Sequence, residues 1–134
     1  MGQIRSQECH VASGINTVVL CGQLSSEPQR RTLASGSELW SFEVTTPTDD
    51  GSWSVPVAWF DPPTEPVFSA GDTVVVVGAV KRRFFRSAAG TQSRTEVVAT
   101  DLVPASSRQR VRRLVQRAAE NLGARAEGAL RSSA

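Results

Sequence analysis

The stretch Val74-Val75-Val76-Val77-Gly78-Ala79-Val80-Lys81-Arg82-Arg83-Phe84-Phe85-Arg86, followed by a Gly90 turn and by Val97-Val98 on the way back, decides the fold. Its first half is an apolar run of the length of a buried strand. Its second half reads as a hairpin arm that leaves the core with guanidinium groups alternating with phenyl rings. A polyanion with flat, unstacked bases suits that mixture, because arginines neutralise phosphates while phenyl faces stack on bases.

Upstream of this stretch the pattern is that of strands. Asn16, Val18, Leu20, Gly22 and Leu24 share one face of a first strand, with Thr17, Val19, Cys21 and Gln23 on the other. Trp40, Phe42 and Val44 alternate with Ser41, Glu43 and Thr45 in a second, and Trp40 reads as core with its two neighbours. A turn over residues 47–51 leads to a third strand, Trp53 to Phe60, in which Pro56 demands either a sheet edge or a bulge. Residues 61–70, with Pro62, Pro63 and Pro66, exclude a long helix. The run from Val74 is the fourth strand, and Glu96 to Leu102 closes the sheet as the fifth. Five antiparallel strands and no helix before the end predict a mainly β chain, a small Greek-key barrel or a sandwich. The partly two-sided apolar character of the first and fourth strands favours the closed barrel.

After Pro104 the period changes. Ser106 and Ser107 offer a cap, Val111, Leu114, Val115, Ala118 and Leu122 form a helical stripe, Arg110, Arg112, Arg113 and Arg117 occupy the other face, and Gly123 offers a stop. A frayed or disordered tail is expected from Ala124. The chain thus divides into a flexible leader (1–14), a β domain (15–104) and a basic amphipathic helix with its tail (105–134).

A formal net charge of +2 conceals a strong asymmetry. Residues 1–80 hold 3 Arg against 9 acidic side chains, whereas residues 81–134 hold 12 Lys and Arg against 4. The basic half points to a polyanionic partner. No apolar run approaches a membrane span and no signal-peptide core is visible, so a cytoplasmic protein without a membrane partner is the expectation. Cys9 and Cys21, with one His in the chain, have no metal-type spacing, and Cys21 reads as a small core residue. No paired carboxylates, phosphate loop or nucleophile constellation is present, so neither an enzyme nor a bound cofactor, metal or small-molecule substrate is expected.

Taken in order, Ile15-Asn16-Thr17-Val18-Val19-Leu20-Cys21-Gly22-Gln23-Leu24, Glu27-Pro28, Arg30, Gly36 and Phe42 resemble the N-terminal signature of bacterial single-stranded-DNA-binding proteins. Val57-Ala58-Trp59, Val77-Gly78-Ala79-Val80-Lys81-Arg82-Arg83 and Thr95-Glu96-Val97-Val98 resemble that family's later strands. The likeness covers residues 15–103 and implies a five-stranded antiparallel Greek-key oligonucleotide-binding (OB) barrel with a C-terminal helix. It further implies sequence-independent, non-catalytic binding of single-stranded DNA in replication, repair or recombination, by a homo-oligomer, a tetramer or a dimer. Trp53, Trp59 and Phe85 match the family's stacking aromatics, with Trp53, Val55, Val57 and Trp59 expected on the outer sheet face. Lys81, Arg82, Arg83, Arg86, Arg94 and Arg30 are the expected phosphate contacts. The proline-rich segment and an ending without an acidic tip depart from the family pattern and resemble a shortened or specialised actinobacterial paralogue. An RNA-binding barrel and a protein-interaction module on the same fold are the alternatives.

Overall fold

The computed structural model describes residues 14–133; residues 1–13 of the expected leader, with Cys9 and His10, lie outside them. The described residues form β1 (Val18–Leu24), β2 (Gln29–Thr32), β3 (Glu38–Thr48), β4 (Gly51–Phe60), β5 (Thr73–Ser87), β6 (Gly90–Pro104) and α1 (Arg108–Ser133). The strand order is β1-β5-β6-β4-β3-β2, and a further pairing of β1 with β3 closes five of the strands into a barrel. β2 hangs outside the ring on β3. This is the arrangement expected of an OB-type barrel, with one strand added. One pairing departs from the antiparallel expectation: β4 and β6 run parallel through Val57↔Val97 and Ala58↔Val98.

Closure falls on β1. It pairs with β5 from Val18↔Gly78 to Gln23↔Thr73 and, at its end, with β3 through Gln23↔Thr45 and Leu24↔Val44. Serving both neighbours brings Gly22 so close to β3 that a Cβ there would stand 2.4 Å from the Thr45 carbonyl oxygen. Only glycine fits. Gly78 plays the same part where β5 leaves the barrel, for its Cβ would meet the Val98 carbonyl oxygen at 2.2 Å, beside the bulge at Val77/Gly78. At the other end Asn16 extends β1 with its side chain. Its Nδ2 donates to the Val80 carbonyl at 2.7 Å and its Oδ1 accepts from the Val80 N–H at 2.9 Å, reproducing a backbone pair.

The period-2 alternation delivers one face of each strand inward. Leu24, Phe42, Val44, Val57, Trp59, Val74, Val76, Val97, Ala99 and Leu102 form the core, with Val18, Leu20, Trp40, Val55 and Phe68 packed around them. Cys21 is exposed, contrary to the core reading. It shares the outward parity of Val19, the face opposite Leu20. Pro56 resolves to the edge alternative: it pairs in register with Glu43 just before the β4–β6 contact begins, where the far side of β4 has no strand to receive a proton. Residues 61–70 contain no helix.

α1 docks by its first half. Leu114 is buried against Val75 and Val103, with Val111 beside them, and Ala118 is also buried, whereas Val115 and Leu122 of the expected stripe stay 42 % and 41 % exposed. Gly123 does not stop the helix, which runs through Gly128 to Ser133. Each glycine costs about 1 kcal/mol relative to alanine, and the surrounding Ala, Arg and Glu are strong helix formers that carry the turn through. No helix among the described residues is long and apolar enough to cross a membrane.

The core assignment of Trp59 is testable by urea denaturation. Trp59→Ala is expected to lower the unfolding free energy by about 3–5 kcal/mol. Trp53→Ala, at a surface position, is expected to stay within about 0.5 kcal/mol of the parent.

Candidate nucleic-acid interface

Two hairpins project from the same end of the barrel. Because β4 and β6 are parallel at Val57↔Val97, the early residues of both, Gly51–Val55 in one and Gly90–Arg94 in the other, lie on the same side of that contact. The β5–β6 arm continues in register from Val80↔Val97 to Ser87↔Gly90. Gly90, at φ 109°, makes its tight turn.

Alternation gives this arm two faces. On one lie Lys81↔Glu96, Arg83↔Arg94 and Phe85↔Gln92; on the other lie Arg82↔Thr95, Phe84↔Ser93 and Arg86↔Thr91. The first face is organised around a carboxylate. Glu96 is only 3 % exposed, and it accepts from Arg83 Nε at 2.9 Å and from Arg83 Nη2 at 3.4 Å. Arg94 Nε approaches the same carboxylate at 3.8 Å. Arg83 also lies over the Phe85 ring, 5.8 Å from its centroid. A buried acid thus fixes Arg83 and draws Arg94 near it, on the same surface as Phe85, and the group keeps a net positive charge. Lys81, Arg82 and Arg86 are exposed, with no carboxylate within ion-pair distance among the described residues.

Beside this face runs a groove of about 320 Å³. Arg83 and Arg94 form one wall, and Gln29, Arg31, Ser41 and Glu43 of β2 and β3 form the other. Sequence reasoning weighed Arg31 as a weak candidate, with solvent exposure equally favoured, and missed Glu96 as a site residue. Glu96 was legible only through its cross-strand neighbours, since it stands opposite Lys81 and diagonal to Arg83.

The expected aromatics separate. Trp53 is 64 % exposed and Phe85 36 % exposed, but Trp59 is 6 % exposed and belongs to the core. Trp53, Val55, Val57 and Trp59 do share a face, as expected, yet that face is the inner one. The register Phe42↔Val57 and Trp40↔Trp59 sets it against the core side of β3. Trp53 avoids burial because β4 begins beyond the barrel, where Thr46↔Trp53 precedes the last core contact at Val55. Its parity follows that of Val97, hence of Phe84 and not of Phe85, so the single outer surface expected of the indoles and the arm is divided between two faces.

Arg30 borders the groove, but its guanidinium is engaged elsewhere. Its Nη2 stands 2.7 Å from Glu38 Oε1 and its Nη1 3.1 Å from Glu65 Oε1, with the group 5.8 Å from the Trp40 ring centroid. The hydrogen bond to Glu38 raises the Arg30 pKa, and the same bond, with a second from the Thr32 hydroxyl, lowers that of Glu38. Arg30 therefore ties the 61–70 segment to β2 and β3. Among the described residues no group of three or more His, Cys, Asp or Glu side chains could hold a metal ion. Neither the protein-family models nor the curated proteins contain a match to this chain, so its family resemblance stands on the motifs themselves.

The lowered Glu38 pKa fixes a sign. The pair stabilises the fold above the ordinary glutamate range, and this contribution is lost as the pH falls through the depressed folded value. A carboxyl-carbon NMR titration is expected to place the Glu38 midpoint below that of an ordinary glutamate and to move it upward in Arg30→Gln.

Proposed function

We propose that the protein binds single-stranded DNA without catalysis, along the Lys81–Arg83–Phe85–Arg94 face of the β5–β6 arm and the adjoining groove. One observation supports this above the others: Glu96, out of solvent, holds Arg83 over the ring of part-exposed Phe85, with Arg94 beside the same carboxylate. A surface ion pair made only for stability has no need of an outward phenyl ring or a second, loosely held guanidinium. A phosphate can displace Arg94 from its 3.8 Å approach while Arg83 stays fixed by two hydrogen bonds. A base can then stack on Phe85, an interaction indifferent to base identity. Trp53, Phe84, Arg82 and Arg86 supply further rings and charges on the other face for a strand that bends round the arm. The family resemblance supports the same substrate and extends the proposal to a homo-oligomer acting in DNA replication, repair or recombination. Exposed Ile15 and Val19 provide apolar surface that a second copy would cover.

Fluorescence polarisation with labelled oligo-dT at several salt concentrations tests the division of labour. Phe85→Ala is expected to weaken binding by about 1–3 kcal/mol with an unchanged salt slope. Arg94→Gln is expected to make the slope shallower by about 0.7, one phosphate contact. Equal slopes in the two variants, or no binding by the parent protein, would refute the proposal.

A further inference from the structure

A second row of arginines lies on the same side of the β5–β6 ribbon as the arm face. α1 packs on Val75, Val103 and Val77 around Leu114, and Thr100 and Asp101 of β6 border a hollow with Ala118 and Asn121 of the helix. Val75 and Val77 share the strand parity of Lys81, Arg83 and Phe85, so the helix climbs that face of β5 toward the arm. Its apolar stripe fixes which side chains flank it. Arg110, Arg113 and Arg117, spaced three and four apart, border β6 and surround a hollow of about 170 Å³ with Asp101 and Val103. Arg108 and Arg112 stand on the opposite flank, about Val111 and Val115.

The row is poorly neutralised from within. Its one ion pair among the described residues is Arg117 to Asp101, at 3.7 Å. The first turn of α1 holds no acidic residue, and the first acid along the helix is Glu120. Guanidiniums one turn apart repel, and Arg110, in the first turn, also opposes the helix dipole. This arrangement costs stability in the free protein and favours an anion at the hollow. From Asp101 the outward side of β6 continues past the bulge through half-buried Val98 to Glu96 and Arg94. Six steps along β5, from Val77 to Arg83, separate the two basic groups, about 20 Å along the strand.

We infer that the Arg110–Arg113–Arg117 row is a second phosphate-binding track, occupied by the continuation of the same DNA strand that engages the arm. The inference rests on the proposed single-stranded-DNA reading and extends its footprint from the arm across β6 to α1. A short oligonucleotide engages the arm alone. A long one reaches the helix.

The test compares two double variants of equal charge, Arg110→Gln with Arg113→Gln and Arg108→Gln with Arg112→Gln, all at exposed helical positions where glutamine is well tolerated. Each is titrated by polarisation with oligo-dT of about 8 and about 30 nucleotides, lengths within and beyond a single barrel's usual site. With the long strand, the 110/113 variant is expected to lose about tenfold in affinity and about 1.4 in salt slope, two phosphates. The 108/112 variant should stay near the parent, and all three proteins should bind the short strand alike. Equal losses in both variants would show general charge attraction and overturn the second track, as would unchanged binding in the 110/113 variant. A parent protein that binds neither oligonucleotide would overturn the underlying reading together with it.

Discussion

β1 is the strand on which the rest of the molecule depends, because it must satisfy β5 along most of its length and β3 at its end. That double service requires backbone approach at Gly22 closer than any side chain permits. Once the ring is closed, inside and outside are no longer a matter of choice. The even residues of β1 and β3 and the odd residues of β4 fill a small core, and β4 and β6 are brought side by side in parallel. Parallel contact there sends the two hairpins out from one end, so the basic arm is a consequence of barrel closure as much as of its own sequence. Gly78 completes the exit, since the close crossing of β5 and β6 beneath the arm leaves no room for a Cβ.

On the arm the dominant force changes from packing to electrostatics. A carboxylate removed from solvent is tolerated only when charges of opposite sign enclose it, and Glu96 is enclosed by Arg83 and Arg94. Arg83 thereby loses rotamer freedom, whereas Arg94, at 3.8 Å, is held more loosely; under the proposed function the cost of ordering Arg83 is met before a ligand arrives. Arg30 illustrates the contrasting case, a guanidinium whose two carboxylates and indole partner serve the fold.

Much of this was legible in the chain. The alternation of β1, the apolar run of β5 and its conversion into a charged aromatic arm are period-2 patterns whose meaning survives without coordinates. β2 was not legible, because all four of its residues are exposed and no buried face imprints a period on them. Trp59 is more instructive: the odd residues of β4 form an apolar set, and alternation alone assigns such a set to the core. The resemblance to a stacking motif pulled the reading outward, and packing prevailed at Trp59, while Trp53 escaped by lying past the barrel's end. Gly123 misled for a different reason, since a glycine stops a helix only where the following residues favour leaving it. Glu96 stayed hidden because its importance lies in cross-strand partners that a linear pattern does not display.

The most direct test of the central claim is a two-dimensional amide NMR titration of the full chain with unlabelled oligo-dT. The largest shifts are expected at Lys81, Arg83, Phe85, Gln92 and Arg94, with the Glu38–Arg30 corner little changed. Saturating oligonucleotide that leaves those arm resonances in place, or perturbs the Arg30 corner in their stead, would contradict that claim.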